Sequence, residues 1–264
     1  MRRVLIVFLT ILFGLLSGFH VSATASPSWY LRGAIGVVQG EDADFSDDDC
    51  SATSPPALFG CGAGSDGESL GAYGDFGEYF SMEIAGGQYV YPWLRTDMAL
   101  NYRPNLKYSG LANFRGVSGQ QPVSTTARSL SLMANLFIEL APALGFSPER
   151  FHPYLGAGFG VSYNRLKAVK YRFPEMEKHK LSVTPSGERF NPAFMIFGGL
   201  GISLTPQWML DISGRYEDLG EVGTDRGGMY MDHIDGEIEI ARTNADLRGF
   251  GFMMGMRYLF RTSL

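Results

Sequence analysis

The stretch 247-LRGFGFMMGMRYLF-260 places Phe250, Phe252, Met254, Met256, Tyr258 and Phe260 on one face of an extended chain. Gly249, Gly251, Met253, Gly255, Arg257 and Leu259 fall on the other. Successive side chains of a strand point to opposite faces, so one surface is continuously apolar while its reverse carries glycine and charge. Hydrocarbon on the apolar side satisfies that pattern, which is the one a lipid-embedded barrel strand requires.

Working outward, seven earlier segments share the alternation. They are 29–38, 80–89, 94–103, 127–140, 154–164, 193–204 and 208–217. In 94–103, Leu94, Met98, Leu100 and Tyr102 face out while Arg95, Asp97, Asn101 and Arg103 face in. In 127–140, Leu130, Leu132, Leu136 and Ile138 oppose Ser131, Asn135 and Glu139, a period of two and not of 3.6. Unpaired strand edges are prohibitively costly in lipid, so such strands must close on themselves. The expected fold is all-β: an eight-stranded antiparallel transmembrane barrel with short periplasmic turns and long extracellular loops.

The connections alternate accordingly. Residues 90–93 and 205–207 are short, whereas 39–79, 104–126, 166–192 and 218–246 are long and would be external. Residues 141–153 are longer than a periplasmic turn should be. Trp29, Trp93 and Trp208 fall at strand ends on the short-turn side, where amphipathic rings suit the headgroup level. Tyr102, Tyr163 and Tyr216 lie near the opposite ends.

Composition agrees with export to an outer membrane. Arg2 and Arg3 precede an apolar run ending at Leu16, and Ala23-Thr24-Ala25 offers a cleavage site, as in a secretory signal peptide. The expected organisation is a signal peptide over 1–25 and a barrel domain over 26–264. Loss of Arg2 and Arg3 takes the formal charge from -5 to -7. The chain is 45% hydrophobic, yet no later segment has the ~18 continuous apolar residues of a helical span. Cys50 and Cys61, the only cysteines, sit in one Gly/Ser-rich segment beyond the leader. The oxidising route favours a disulfide between them over a metal pair, which would lack further ligands.

The inward faces hold five arginines, Arg32, Arg95, Arg103, Arg215 and Arg257, and five acids, Glu83, Asp97, Glu139, Asp211 and Glu217. An eight-stranded barrel is narrow enough for side chains to fill. Unpaired charge there would be costly, so an ion network in a largely occluded interior is expected.

Candidate chemistry is sparse. His152, His179 and His233 fall outside the assigned strands, which leaves an embedded serine hydrolase without a base. Glu41, Asp42, Asp44, Asp47, Asp48 and Asp49 form a dense acidic run, read as a solvated, flexible loop because it lacks ordered calcium-ligand spacing. Lys167, Lys170, Arg172, Lys178, Lys180 and Arg189 make the third external loop basic, which loop solvation is enough to explain; the alternative is a contact with anionic groups, with Tyr171 and Phe173 interleaved. In the fourth, Gly227-Gly228 and Asp235-Gly236 compete for the tip of an extended hairpin. No catalytic residue, metal or cofactor is expected.

WYLRGAIGV at 29–37, PYLGAGFGVSYN at 153–164, GGLGISLTPQWMLDISGRY at 198–216 and FGFMMGMRYLF at 250–260 resemble the opacity-like and outer-membrane protein A-like family of eight-stranded outer-membrane barrels. That resemblance implies a non-enzymatic protein of the bacterial outer membrane, with adhesion, host interaction or envelope stabilisation carried by its loops. Expected partners are outer-membrane lipid and lipopolysaccharide and a host protein or glycan, with no nucleic acid, and the chain is expected to be a monomer. The alternatives are a narrow porin-like channel and a membrane-embedded lipid-modifying enzyme.

Overall fold

Strands account for most of the chain in a computed structural model, which describes residues 29–64, 67–117, 119–145, 150–174, 180–232 and 234–260. The leader 1–25, His179, His233 and Lys178 lie outside the described residues. Eight long strands form a ring: β1 (Trp29–Gly40), β4 (Glu78–Tyr91), β5 (Leu94–Asn113), β6 (Gln121–Glu139), β7 (Phe151–Leu166), β10 (Gly187–Ser203), β11 (Trp208–Thr224) and β14 (Thr243–Leu259). Each pairs antiparallel with its neighbours in that order, and β14 returns to β1. Among the described residues no helix is long and apolar enough to cross a membrane.

The faces follow the alternation. Phe252 is 71% exposed whereas Arg257, further along the same strand on the reverse face, is 0% exposed. Trp29, Trp93 and Trp208 are exposed at the end with the short connections.

The strands run further than a bilayer demands. β5 has 20 residues and β6 has 19, against the ~9–11 that cross hydrocarbon at barrel tilt. The expected loop 104–126 is therefore mostly sheet, since β5 continues to Asn113 and β6 begins at Gln121. β5 passes from membrane to exterior through a bulge between Arg103 and Leu106. Pro104 sits in that irregularity, where its missing N–H costs no ladder bond.

The periplasmic connection is shorter than expected. α1 (Leu140–Ala143), a single helical turn, follows β6, and β7 begins at Phe151, so His152 belongs to a strand and not to a loop. Short strands complete the outer end: β2 (Ser46–Asp47), β3 (Gly71–Asp75), β8 (Lys170–Phe173), β9 (Lys180–Val183), β12 (Gly227–Met231) and β13 (Gly236–Ile240). β12 and β13 form the fourth-loop hairpin; Asp235, at φ 46°, lies in its tip, while Gly227-Gly228 opens β12.

Candidate functional site: a closed ion chain beneath a folded cap

The ten inward charges lie on β1, β4, β5, β6, β11 and β14, and all are buried. They join in one alternating series. From the outer end, Arg103 meets Glu217 at 2.7 Å, Glu217 meets Arg215 at 2.9 Å, and Arg215 meets Glu83 at 3.4 Å. Glu83 meets Arg32 at 2.8 Å, Arg32 meets Asp97 at 3.2 Å, and Asp97 lies 3.9 Å from Arg95. Arg95 pairs with Glu139 at 2.7 Å, Glu139 lies 3.6 Å from Arg257, and Arg257 ends the series on Asp211 at 2.6 Å.

Neutral groups fill the gaps. Tyr30 donates its hydroxyl proton to Asp97 at 2.9 Å, Asn135 Nδ2 donates to Asp97 at 2.7 Å, and Arg215 donates to Asn101 Oδ1 at 3.0 Å. The Arg95 guanidinium lies 3.8 Å from the centre of the Phe137 ring and 4.6 Å from that of Tyr154, where ring quadrupoles favour the cation. A cavity of about 10 Å³, space for roughly one water, remains between Arg32, Glu83, Asp211, Arg215 and Phe197.

Above the barrel the four long connections fold together. Phe45 and Phe76 pack on Tyr108 with ring centres 4.9 and 5.3 Å apart. Phe59 stacks on Phe114 at 5.2 Å, and Phe114 meets Tyr171 edge-on at 5.2 Å. Leu219, Val222, Met229 and Ile240 belong to the same buried cluster. The exterior is thus packed by apolar side chains, in a cluster that continues into the barrel through Phe137, Tyr154 and Phe197.

The acidic run is largely exposed, as a solvated loop would be, but it is also tied into this cap. Asp47 accepts the backbone N–H groups of Leu58 at 2.8 Å, Phe59 at 3.0 Å and Gly60 at 2.9 Å. Phe45 bridges to Ala72 and Asp42 to Asp75. Asp44 titrates above the ordinary aspartate range, first because burial disfavours its charge and then because Asp42 is close. Cys50 and Cys61 are disulfide-bonded, with Cα atoms 4.8 Å apart. Among the described residues no three His, Cys, Asp or Glu side chains gather as a metal site.

The basic third loop divides. Lys167, Lys170 and Arg172 are exposed, and Lys180 begins β9. Arg189 is committed within the fold, donating to Asn244 Oδ1 at 2.9 Å, Asp225 Oδ1 at 2.9 Å and the Thr224 carbonyl at 2.6 Å. Tyr171 is fully buried in the cap, so it presents no contact surface.

One contact escaped sequence reasoning. His152 Nε2 and Ser203 Oγ lie 2.9 Å apart, joining the periplasmic ends of β7 and β10. No local motif signals it, because the two residues meet only through strand pairing.

The family model for the outer membrane protein beta-barrel domain matches residues 11–257. The chain belongs to this family. It is an outer-membrane β-barrel, and its place is the bacterial outer membrane. A comparison with curated proteins gave no match. Among solved structures, Neisserial surface protein A is 18% identical, covering 89% of this chain and 100% of its own, with a TM-score of 0.37. The outer membrane protease OmpT from Escherichia coli is 10% identical over 91% of this chain and 100% of its own, at 0.52. OprG from Pseudomonas aeruginosa is 13% identical over 90% and 97%, at 0.47. At such identities the likeness is one of fold, and OmpT places a protease among its bearers.

Proposed function

We propose that this outer-membrane barrel is a non-enzymatic surface protein whose folded cap contacts a host or envelope component, in adhesion, host interaction or envelope stabilisation. One observation carries the reading: the four external connections share a buried aromatic core, centred on Phe59, Phe114 and Tyr171, above a lumen filled by ion pairs. Conduction would need that series to open, and each broken buried pair costs ~3–5 kcal/mol. Ordering four loops costs conformational entropy, which a merely solvated rim has no need to meet. A pre-ordered surface loses less of that entropy on binding and so favours recognition.

Whole cells displaying the protein test the reading against immobilised host matrix proteins, sulfated glycans and lipopolysaccharide. Replacing 227–240 by a short turn, or 168–184 likewise, should abolish binding to one of these ligands while the barrel still migrates as a folded, heat-modifiable band. Unchanged binding by both variants, or no binding by the parent chain, overturns the proposal. Planar-bilayer recordings on refolded protein address the channel alternative, for which steady unitary currents altered by Arg95→Gln would be required.

A further inference from the structure

The lipid-facing surface has a charge pattern of its own. Tyr102, Leu130, Tyr163 and Phe190 are successive cross-strand partners on β5, β6, β7 and β10, forming an apolar and aromatic row. Two residues further out on the same face, Arg128 stands directly opposite Arg165, and Arg165 opposite Glu188. One more step outward, Lys107 is the partner of Thr126, and the Lys167 N–H bonds the Thr126 carbonyl from the other side at 2.9 Å. Lys107, Arg128, Arg165 and Lys167 are all exposed.

Like charges directly opposed in a sheet repel, so the Arg128–Arg165 pair calls for an anion. Glu188 meets Arg165 at 3.2 Å. Among the described residues that is the patch's one ion pair, which leaves three of four cations unmatched. The far flank of the rim differs: Arg248 on β14 is tied to Asp218 at 3.0 Å and Asp246 at 3.2 Å. On the lipid-facing rim the cations without an ion pair thus gather where β5, β6 and β7 adjoin.

Aromatic rings mark the level where hydrocarbon gives way to headgroups, and cations just beyond them meet lipid phosphate. We propose that Lys107, Arg128, Arg165 and Lys167 form a binding site for the phosphates of the outer-leaflet glycolipid, lipid A. Guanidinium groups offer phosphate paired N–H donors, and a phosphate shared by Arg128 and Arg165 replaces their repulsion with two charge-assisted contacts. Lys107 on β5 and Lys167, one residue beyond β7, flank it. The proposal rests on the barrel's place in the outer membrane and is independent of what the cap binds.

The test uses the full refolded chain in phosphatidylcholine nanodiscs doped with bisphosphorylated or dephosphorylated lipid A. Retained glycolipid is counted by native mass spectrometry. The parent should prefer the phosphorylated lipid by roughly tenfold or more, the ratio one strong charged contact supplies. The variant K107Q/R128Q/R165Q/K167Q should lose the preference while keeping heat-modifiable mobility, and Arg248→Gln should keep both. Should the fourfold variant not fold, K107Q/R128Q spares the Arg165–Glu188 pair and serves the same comparison. Equal retention of the two lipids by the parent, or an unchanged preference in a folded variant, overturns the site. A cap-shortened chain that still prefers the phosphorylated lipid separates this site from the fate of the cap proposal.

Discussion

Glu217 holds the outer end of the ion series. It accepts from Arg103 Nε and one terminal nitrogen, both at 2.7 Å, meets Arg215 at 2.9 Å, and takes the Tyr79 hydroxyl at 3.2 Å. Glu217→Ala would leave two guanidinium groups buried without that carboxylate, a change that costs ~3–5 kcal/mol when a buried pair is broken. Urea unfolding in lipid bilayers should register this loss, and Glu217→Gln, which retains an acceptor oxygen, should lose less. A loss below ~1 kcal/mol, the scale of a solvated surface pair, would mean that water reaches the lumen freely. Period-two alternation set these charges opposite an apolar face, so their inward direction is readable from the chain. Their partners are not: Arg103 and Glu217 are 114 residues apart, and their meeting depends on strand tilt and stagger.

At the scale of the strand, β1 carries a controlled comparison. A Cβ added at Gly36 would lie 2.0 Å from the Phe252 carbonyl oxygen, whereas one added at Gly33 meets nothing within 4 Å. Gly36→Ala should therefore force β1 from β14 and cost about 1–3 kcal/mol, as overpacking does, while Gly33→Ala on the lipid face should be nearly neutral. Equal effects in the same unfolding assay would refute the close approach of the two strands. β5 shows why the outer extensions lack the apolar-outward pattern of the membrane strands. Up to Arg103 its apolar residues face outward, to lipid; beyond the bulge Leu106, Tyr108 and Ala112 face inward and are buried, while Lys107 and Ser109 are exposed. Outside the membrane the solvent is water, so the apolar face changes sides. A reading tuned to apolar-outward alternation stops where hydrocarbon stops. His152 carries no strand signal for a related reason, since the start of β7 is set by pairing with β10 and not by local pattern.

The interior is two joined cores along one set of strands, ion pairs set among rings within the bilayer and an apolar, aromatic cap outside it. These cores rest on different interactions, so they should respond to different perturbations. The Cys50–Cys61 disulfide spans a sequence separation of 11 within the first connection, close to the backbone turn that Asp47 closes. Cross-linking a loop of that size restricts the unfolded chain by about 3 kcal/mol in the chain-entropy account. The constraint acts on the cap, because the barrel's closure comes from strand ladders that contain neither cysteine. Cys50→Ser with Cys61→Ser should therefore raise proteolysis and hydrogen exchange across the cap, including Phe59 and the Phe114 turn it stacks on, while the barrel stays folded and heat-modifiable. Simultaneous loss of barrel and cap at one denaturant concentration would show instead that the aromatic core and the ion series unfold as a single unit, with the long strands transmitting disorder from the rim to the lumen.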